Sequence, residues 1–201
     1  MIKKLLSILF LIGVGLLLLL YFYFNYQFWN HVKTGDFKTL IEYRGKNIKG
    51  FRGRQILIHE NFEPYIIRVD NYAVNCNVRL IVNQGYRNDK QRLNRTVVKP
   101  VKSSNHLAGY AIDFNVKYKG LKYFADELNR DNLSNLPKEI QIFIDFIRED
   151  KDLRWGGDFK RQDPVHIDYP INSKNIAAWK KSSKLCAKDY SSSVPKWKVW
   201  K

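Results

Sequence analysis

Cysteine is nearly missing from this sequence. Cys76 and Cys186 are the only two, they stand far apart, and no CxxC or zinc-finger spacing surrounds either, so neither is expected to ligate a metal. In an oxidising compartment the two can still pair across a loop of about 110 residues, worth on the order of 4–5 kcal/mol in the chain-entropy model. A disulfide is therefore one expectation, and two buried free thiols are the other. Negative charge is scarce as well: 19 Asp and Glu stand against 35 Lys and Arg, a net charge of +16. That imbalance suggests an anionic partner, with nucleic acid, an anionic lipid surface and an acidic wall polymer as the choices and plain solubility as the alternative. No nucleic-acid-binding motif and no internal repeat is present, and the basic residues are spread along the chain.

Charge is wholly absent from residues 5–24, LLSILFLIGVGLLLLLYFYF. Twenty helical residues rise about 30 Å, the thickness of a bilayer's hydrocarbon core, so the run reads as a membrane span. It ends in YFYFNYQFW, bulky where a signal peptide would place small residues for cleavage, which favours an uncleaved anchor. Lys3 and Lys4 precede the span and no Lys or Arg follows it until Lys33, a bias that keeps the N-terminus cytoplasmic and sends the rest outside. Nucleic acid is then on the wrong side of the membrane. Tyr21, Phe22, Tyr23, Phe24, Tyr26, Phe28 and Trp29 suit the outer interface.

The remainder is long enough for one core. Residues 25–55 are expected to be a connector, 56–185 the folded domain and 186–201 a basic, aromatic tail, helical at first from Asn175 and then loosely ordered. FEPYIIRVDNYAV spaces its apolar residues as a helix, with Pro64 tolerable in the first turn. NVRLIVNQG alternates as a strand. YAIDFNV alternates too, with Ile112, Phe114 and Val116 on one face and Asp113 on the other. A helix is expected over 134–149, capped by Ser134, with Ile140, Phe143, Ile144 and Ile147 as its buried stripe. LRWGGDF and VHIDY read as short strands about a Gly-Gly turn. The order predicts an α+β domain with a small, mostly antiparallel sheet and flanking helices, preceded by one transmembrane helix.

One set of polar residues interrupts this apolar pattern. SSNHLAGYAIDFNV holds His106 and Asp113, and DPVH holds Asp163 and His166. Two histidines and a carboxylate are the donor set of a catalytic zinc, which takes three protein ligands and leaves a position for water. Zinc lowers that water's pKa toward about 7, where a nearby carboxylate such as Asp163 can take its proton. Each piece singly has a plainer reading, as a hydrogen-bonded His-Asp pair or a simple turn.

Taken together, SxHxxGxAxD (Ser104, His106, Gly109, Ala111, Asp113) and WGGDxxxxDxxH (Trp155 to His166) resemble the zinc D-Ala-D-Ala carboxypeptidases and L-alanyl-D-glutamate endopeptidases. That family includes vancomycin-resistance-type D,D-peptidases and phage endolysins, and its fold is shared by the hedgehog signalling domain. The resemblance spans about residues 56–170. It implies zinc on His106, Asp113 and His166, Asp163 as general base, and, from QGYR beside the family's SGYR, Arg87 as the group that steadies the oxyanion. Gln84 and Phe159 depart from the family's usual residues. The expected activity is hydrolysis of peptidoglycan stem peptides by a membrane-anchored, extracytoplasmic zinc peptidase. A non-hydrolytic zinc-containing wall-binding or signalling module is the alternative.

Overall fold

The computed structural model describes residues 2–24, 31–34, 39–91, 97–98 and 101–195. The uncharged run is one helix, α1 (Ile2–Phe24), long and apolar enough to cross a membrane or to serve as a signal sequence. Tyr26, Phe28 and Trp29 of the aromatic cluster lie outside the described residues.

Among the described residues, eight strands and the helices packed on them build the body of the domain. In chain order the strands are β1 (Leu40–Glu42), β2 (Ile48–Gly50), β3 (Leu57–His59), β4 (Arg79–Gln84), β5 (Ala111–Tyr118), β6 (Leu121–Tyr123), β7 (Arg154–Trp155) and β8 (His166–Asp168), of which all but β1 and β3 join one sheet in the order β2-β4-β5-β8-β7, with β6 pairing β5. The β2–β4 pair is parallel and the others are antiparallel. β1 and β3 form a separate antiparallel pair. β5 shows why the sheet has two characters: Ile112, Phe114, Val116 and Tyr118 are buried while Asp113, Asn115 and Lys117 are half-exposed, the period-two alternation of a strand with one apolar face.

That apolar face packs in one core with α2 (Glu63–Asn75) and α4 (Lys138–Glu149). Pro64 sits in the first turn of α2, where its missing N–H leaves nothing unpaired. The α4 stripe of Ile140, Phe143, Ile144 and Ile147 is buried, each side chain contributing about 1.5–3 kcal/mol, and Phe143 meets Phe114 of β5 edge-on at 6.3 Å. Ser134 does not cap this helix. It lies inside a 3₁₀ run at 130–135, because Pro137 holds the residue before it, Leu136, extended (ψ 156°) and the helix starts only beyond the proline.

The edges of the domain differ from expectation. β1 and β2 precede Ile56, so the stretch expected as connector already contributes strands. After the short α3 (Ala125–Leu128) and α5 (Ile171–Lys174), α6 runs as one helix over Ile176–Ser192, through the expected tail boundary, with Asn175 accepting from the Ala178 N–H at 2.9 Å as its cap. Of the expected loose tail, residues 191–195 are described and ordered, and 196–201 lie outside the described residues. The expected disulfide does not form. Both cysteines are free: Cys76 closes α2 in the main core, whereas Cys186 on α6 lies in a second cluster with Val32, Leu40, Leu57 and Tyr86 and reaches Ala108 O at 3.5 Å.

Candidate metal centre

Three pieces of chain converge on the polar face of the sheet. β5 and β8 are paired so that Asp113 stands directly opposite His166. His106 arrives from a 3₁₀ turn at Asn105–Ala108, which closes on Gly109 in the left-handed region (φ 76°). A side chain at Gly109 would bring a Cβ to 2.6 Å from the His59 N, so the turn is held against β3 only because the residue is glycine. The register of β4 slips by one residue between Val82 and Gln84, a bulge that ends the strand beside the site and leads into Gly85.

The three side chains offer one ligand atom each. His106 Nε2 lies 3.1 Å from Asp113 Oδ1 and 3.2 Å from His166 Nδ1, and the last two are 3.0 Å apart. Ligand atoms of a tetrahedral zinc, with bonds of about 2.0–2.1 Å, stand roughly 3.3 Å from one another, so the triangle fits such an ion. The outer hydrogen bonds point the same way. His106 Nδ1 donates to Gly85 O at 2.8 Å, which leaves Nε2 with a lone pair facing the centre. His166 Nε2 lies 3.4 Å from Asp168 Oδ2, which leaves Nδ1 free in the same sense. Electrostatics agree. Burial works to lower the His166 pKa, but its hydrogen bonds to Asp113 and Asp168 outweigh burial and push it up to about 10, a site that favours positive charge. These three residues can hold a metal ion.

Asp168, Arg154 and Asn105 were not anticipated from the sequence. Asp168 is 2% exposed and accepts two bonds from the Arg154 guanidinium, at 2.9 and 2.7 Å, and a third from Asn105 Nδ2 at 2.7 Å. Burial alone would raise its pKa, and the bonds from His166 and Arg154 hold it well below the usual carboxylate range. The clue was present as His166-x-Asp168 on a strand, since alternate residues share a face.

Asp163 and Arg87 line the same cavity of about 180 Å³ as His106, Asp113 and His166, with Val98, Val101 and Phe159 as its apolar wall. Asp163 is held by backbone bonds: its N–H donates to Gly156 O at 2.8 Å and its carbonyl accepts from the His166 N–H at 3.0 Å. Gly156 is required here, as a Cβ on it would meet Asp163 O at 2.3 Å. The Trp155 indole N–H donates to Pro164 O at 2.8 Å and pins the same turn. Burial, then the Asp113 charge, push the Asp163 pKa up. Arg87 is 8% exposed, and no ion pair involves it among the described residues. Its pKa is lowered by burial, opposed by the Asp113 charge.

Two residues singled out in the sequence lie elsewhere. Asp158 of the WGGD motif pairs with Arg148 at 2.7 Å, outside the cavity. Gln84 turns its amide to Tyr86 O at 2.9 Å and lines a neighbouring, larger cavity of about 570 Å³ that holds none of the three ligands.

A mixed sheet thus carries a His-Asp-His set that can hold a metal ion, with a carboxylate and an arginine lining the same cavity. Residues 98–169 match the family model described as D-alanyl-D-alanine carboxypeptidase. The match bears out the family resemblance and covers His106, Asp113, Asp163, His166 and Asp168, while Arg87 precedes it. The family's zinc dependence accords with the donor set. No curated protein matches the chain.

Proposed function

We propose that the chain is a zinc peptidase that hydrolyses peptidoglycan stem peptides, with α1 as a membrane anchor and the domain outside the cytoplasm. The observation that carries the reading is the triangle of ligand atoms with 3.0–3.2 Å edges, whose histidine tautomers are both set from behind, in one cavity with Asp163 and Arg87. Zinc bound there supplies Lewis acidity to a scissile carbonyl and makes water nucleophilic near neutral pH.

The chain's own residues account for the proton and the charge. Asp163 takes the proton from the water that attacks the carbonyl carbon and returns it to the leaving amine as the C–N bond breaks. Its raised pKa suits a carboxylate that must hold that proton between the two steps. Arg87, buried and charged, presents paired N–H donors where the carbonyl oxygen becomes negative. Asp168 and Arg154 hold the ring of His166 in place. Val98, Val101 and Phe159 offer a small apolar surface to substrate.

The test is mass spectrometry of peptides released from purified peptidoglycan by the full chain in detergent, with zinc and with a chelator. Chelator-sensitive release of defined stem peptides is expected. A folded, zinc-loaded chain that releases nothing would return the protein to the non-hydrolytic module.

A further inference from the structure

A third cavity, of about 320 Å³, lies between β3, α5 and α6 and shares no lining residue with the metal centre. Its size is at the lower end of the roughly 300–1,000 Å³ range of small-molecule sites. α6 presents Ala178, Lys181 and Leu185 to it, at the spacing of one helix face, and α5 adds Ile171. The opposite wall carries His59 and Glu60.

His59, the last residue of β3, is 4% exposed. Its Nδ1 accepts the Asn61 N–H at 3.0 Å, which puts the hydrogen of the neutral ring on Nε2. Burial, opposed by the Asp189 charge, pushes its pKa down to about 4, so the ring is neutral near pH 7. Nε2–H is then a donor, and it has no hydrogen-bond partner among the described residues. Among those residues, no side-chain nitrogen or oxygen closed to solvent lacks a partner, so Nε2 opens on the cavity that His59 lines. The Tyr110 ring, with its centroid at 4.8 Å, covers the imidazole. The Asp189 carboxylate is already engaged, accepting from the Thr39 and Leu40 N–H groups at 2.7 and 3.1 Å.

Two opposite charges complete the lining. Glu60 and Lys181 are exposed, and neither enters an ion pair among the described residues, with each other or with a third group. We propose that this cavity binds a small zwitterion, an α-amino acid with a short apolar side chain, its carboxylate on His59 Nε2–H and Lys181, its ammonium on Glu60 and its side chain against Ile171, Ala178 and Leu185. A bare anion would meet the Glu60 charge, and a bare cation would leave the His59 donor unanswered and meet the Lys181 charge. Only a ligand with both signs answers all three groups. The proposal is independent of the peptidase chemistry.

The experiment titrates the full chain in detergent with alanine of either hand near pH 7, zinc-loaded and after chelator treatment, and reads saturation transfer to the alanine methyl group by NMR. Saturable binding is expected in both states. Alaninamide, which lacks the carboxylate, and propionate, which lacks the ammonium, should each bind about 10-fold more weakly or not at all. His59→Phe should abolish binding. Lys181→Gln and Glu60→Gln, at exposed positions where folding is not at stake, should each weaken it about 10-fold at an unchanged melting temperature. Binding that disappears with the chelator places alanine on the metal and overturns the proposal. So does the absence of saturable binding, propionate binding as tightly as alanine, or unchanged binding in both exposed variants. Hydrolysis is not read, so a chain that binds alanine but cleaves no stem peptide condemns only the peptidase reading, and one that cleaves but binds no alanine condemns only this site.

Discussion

Two arginine–aspartate pairs in this molecule make the same two-bond contact and differ in what they serve. Arg68 meets Asp150 through two bonds, at 2.8 and 2.9 Å, and Arg154 meets Asp168 through two, at 2.9 and 2.7 Å. In each the Asp side chain is buried, 4% and 3% exposed, while the Arg side chain is about a third open to solvent, 36% and 39%. The remaining contacts separate them. Asp150 also accepts from Tyr72 OH at 3.0 Å and from the Asp152 N–H at 3.0 Å, so its pair fastens α2 to the end of α4. Asp168 instead touches His166 and Asn105, so its pair stands behind the metal ligands. The same strong, planar ion pair becomes a staple or a support for chemistry according to which third group shares the carboxylate.

A carboxylate with no arginine ion pair among the described residues, Asp163, sets the upper end of the comparison. Asp163→Asn should lower hydrolysis of stem peptides by roughly 10²- to 10⁴-fold while zinc content and melting temperature stay unchanged, as measured by rate assay, metal analysis and calorimetry. A comparable loss of zinc would make Asp163 a ligand rather than the base. Asp168→Asn comes next: competition with a chromophoric chelator should show zinc affinity reduced roughly 10- to 100-fold, because the His166 ring loses its charged support. Unchanged affinity would reduce the Arg154–Asp168 pair to a staple like the other.

Asp150→Asn should do the opposite, leaving zinc affinity untouched and lowering unfolding free energy by about 1–2 kcal/mol, a charged hydrogen-bond loss discounted for the solvent around Arg68. Chemical denaturation measures it. The smallest expected effect is its pH dependence. Burial acts to raise the Asp150 pKa, but bonds from Arg68, the Asp152 N–H and Tyr72 outweigh it, and the folded value lies below the unfolded one. A depressed carboxylate stabilises the fold above its unfolded pKa, and that stability is lost as pH falls through the folded value. Between pH 5 and about 3 the unaltered chain should therefore lose stability more steeply than Asp150→Asn. Parallel profiles would mean the pair adds nothing to folding.

Much of the domain was legible before folding because its signals are local. α1 follows from twenty residues without charge, β5 from strict alternation and the α4 stripe from helical spacing. The three candidate ligands and Asp163 stand out from their donor set and spacing, Arg87 only from the family resemblance, and all five line one cavity. Misreadings arose where a neighbour overrode a local preference. Ser134 is a good cap by type, yet Pro137 delays the helix, and α6, weak on its own periodicity, is held by Asn175 and by packing on the 105–108 turn, where Trp179 donates to Ser104 O at 3.2 Å.

By itself, then, the sequence determined the anchor-like helix and the apolar faces, since each depends on residues a few positions apart, while two short motifs, whose histidines stand 60 residues apart, marked the side chains that can hold a metal ion. Only the tertiary structure decided that Asp113 pairs with His166 across β5 and β8, that Asp168 and Arg154 stand behind that histidine, that the two cysteines lie in separate clusters, and that Val32 meets Pro195. The physical reason is that strand register, ring tautomer and burial are properties of pairs brought together from distant positions by a shared core, and no periodicity along the chain records which distant partner will complete them.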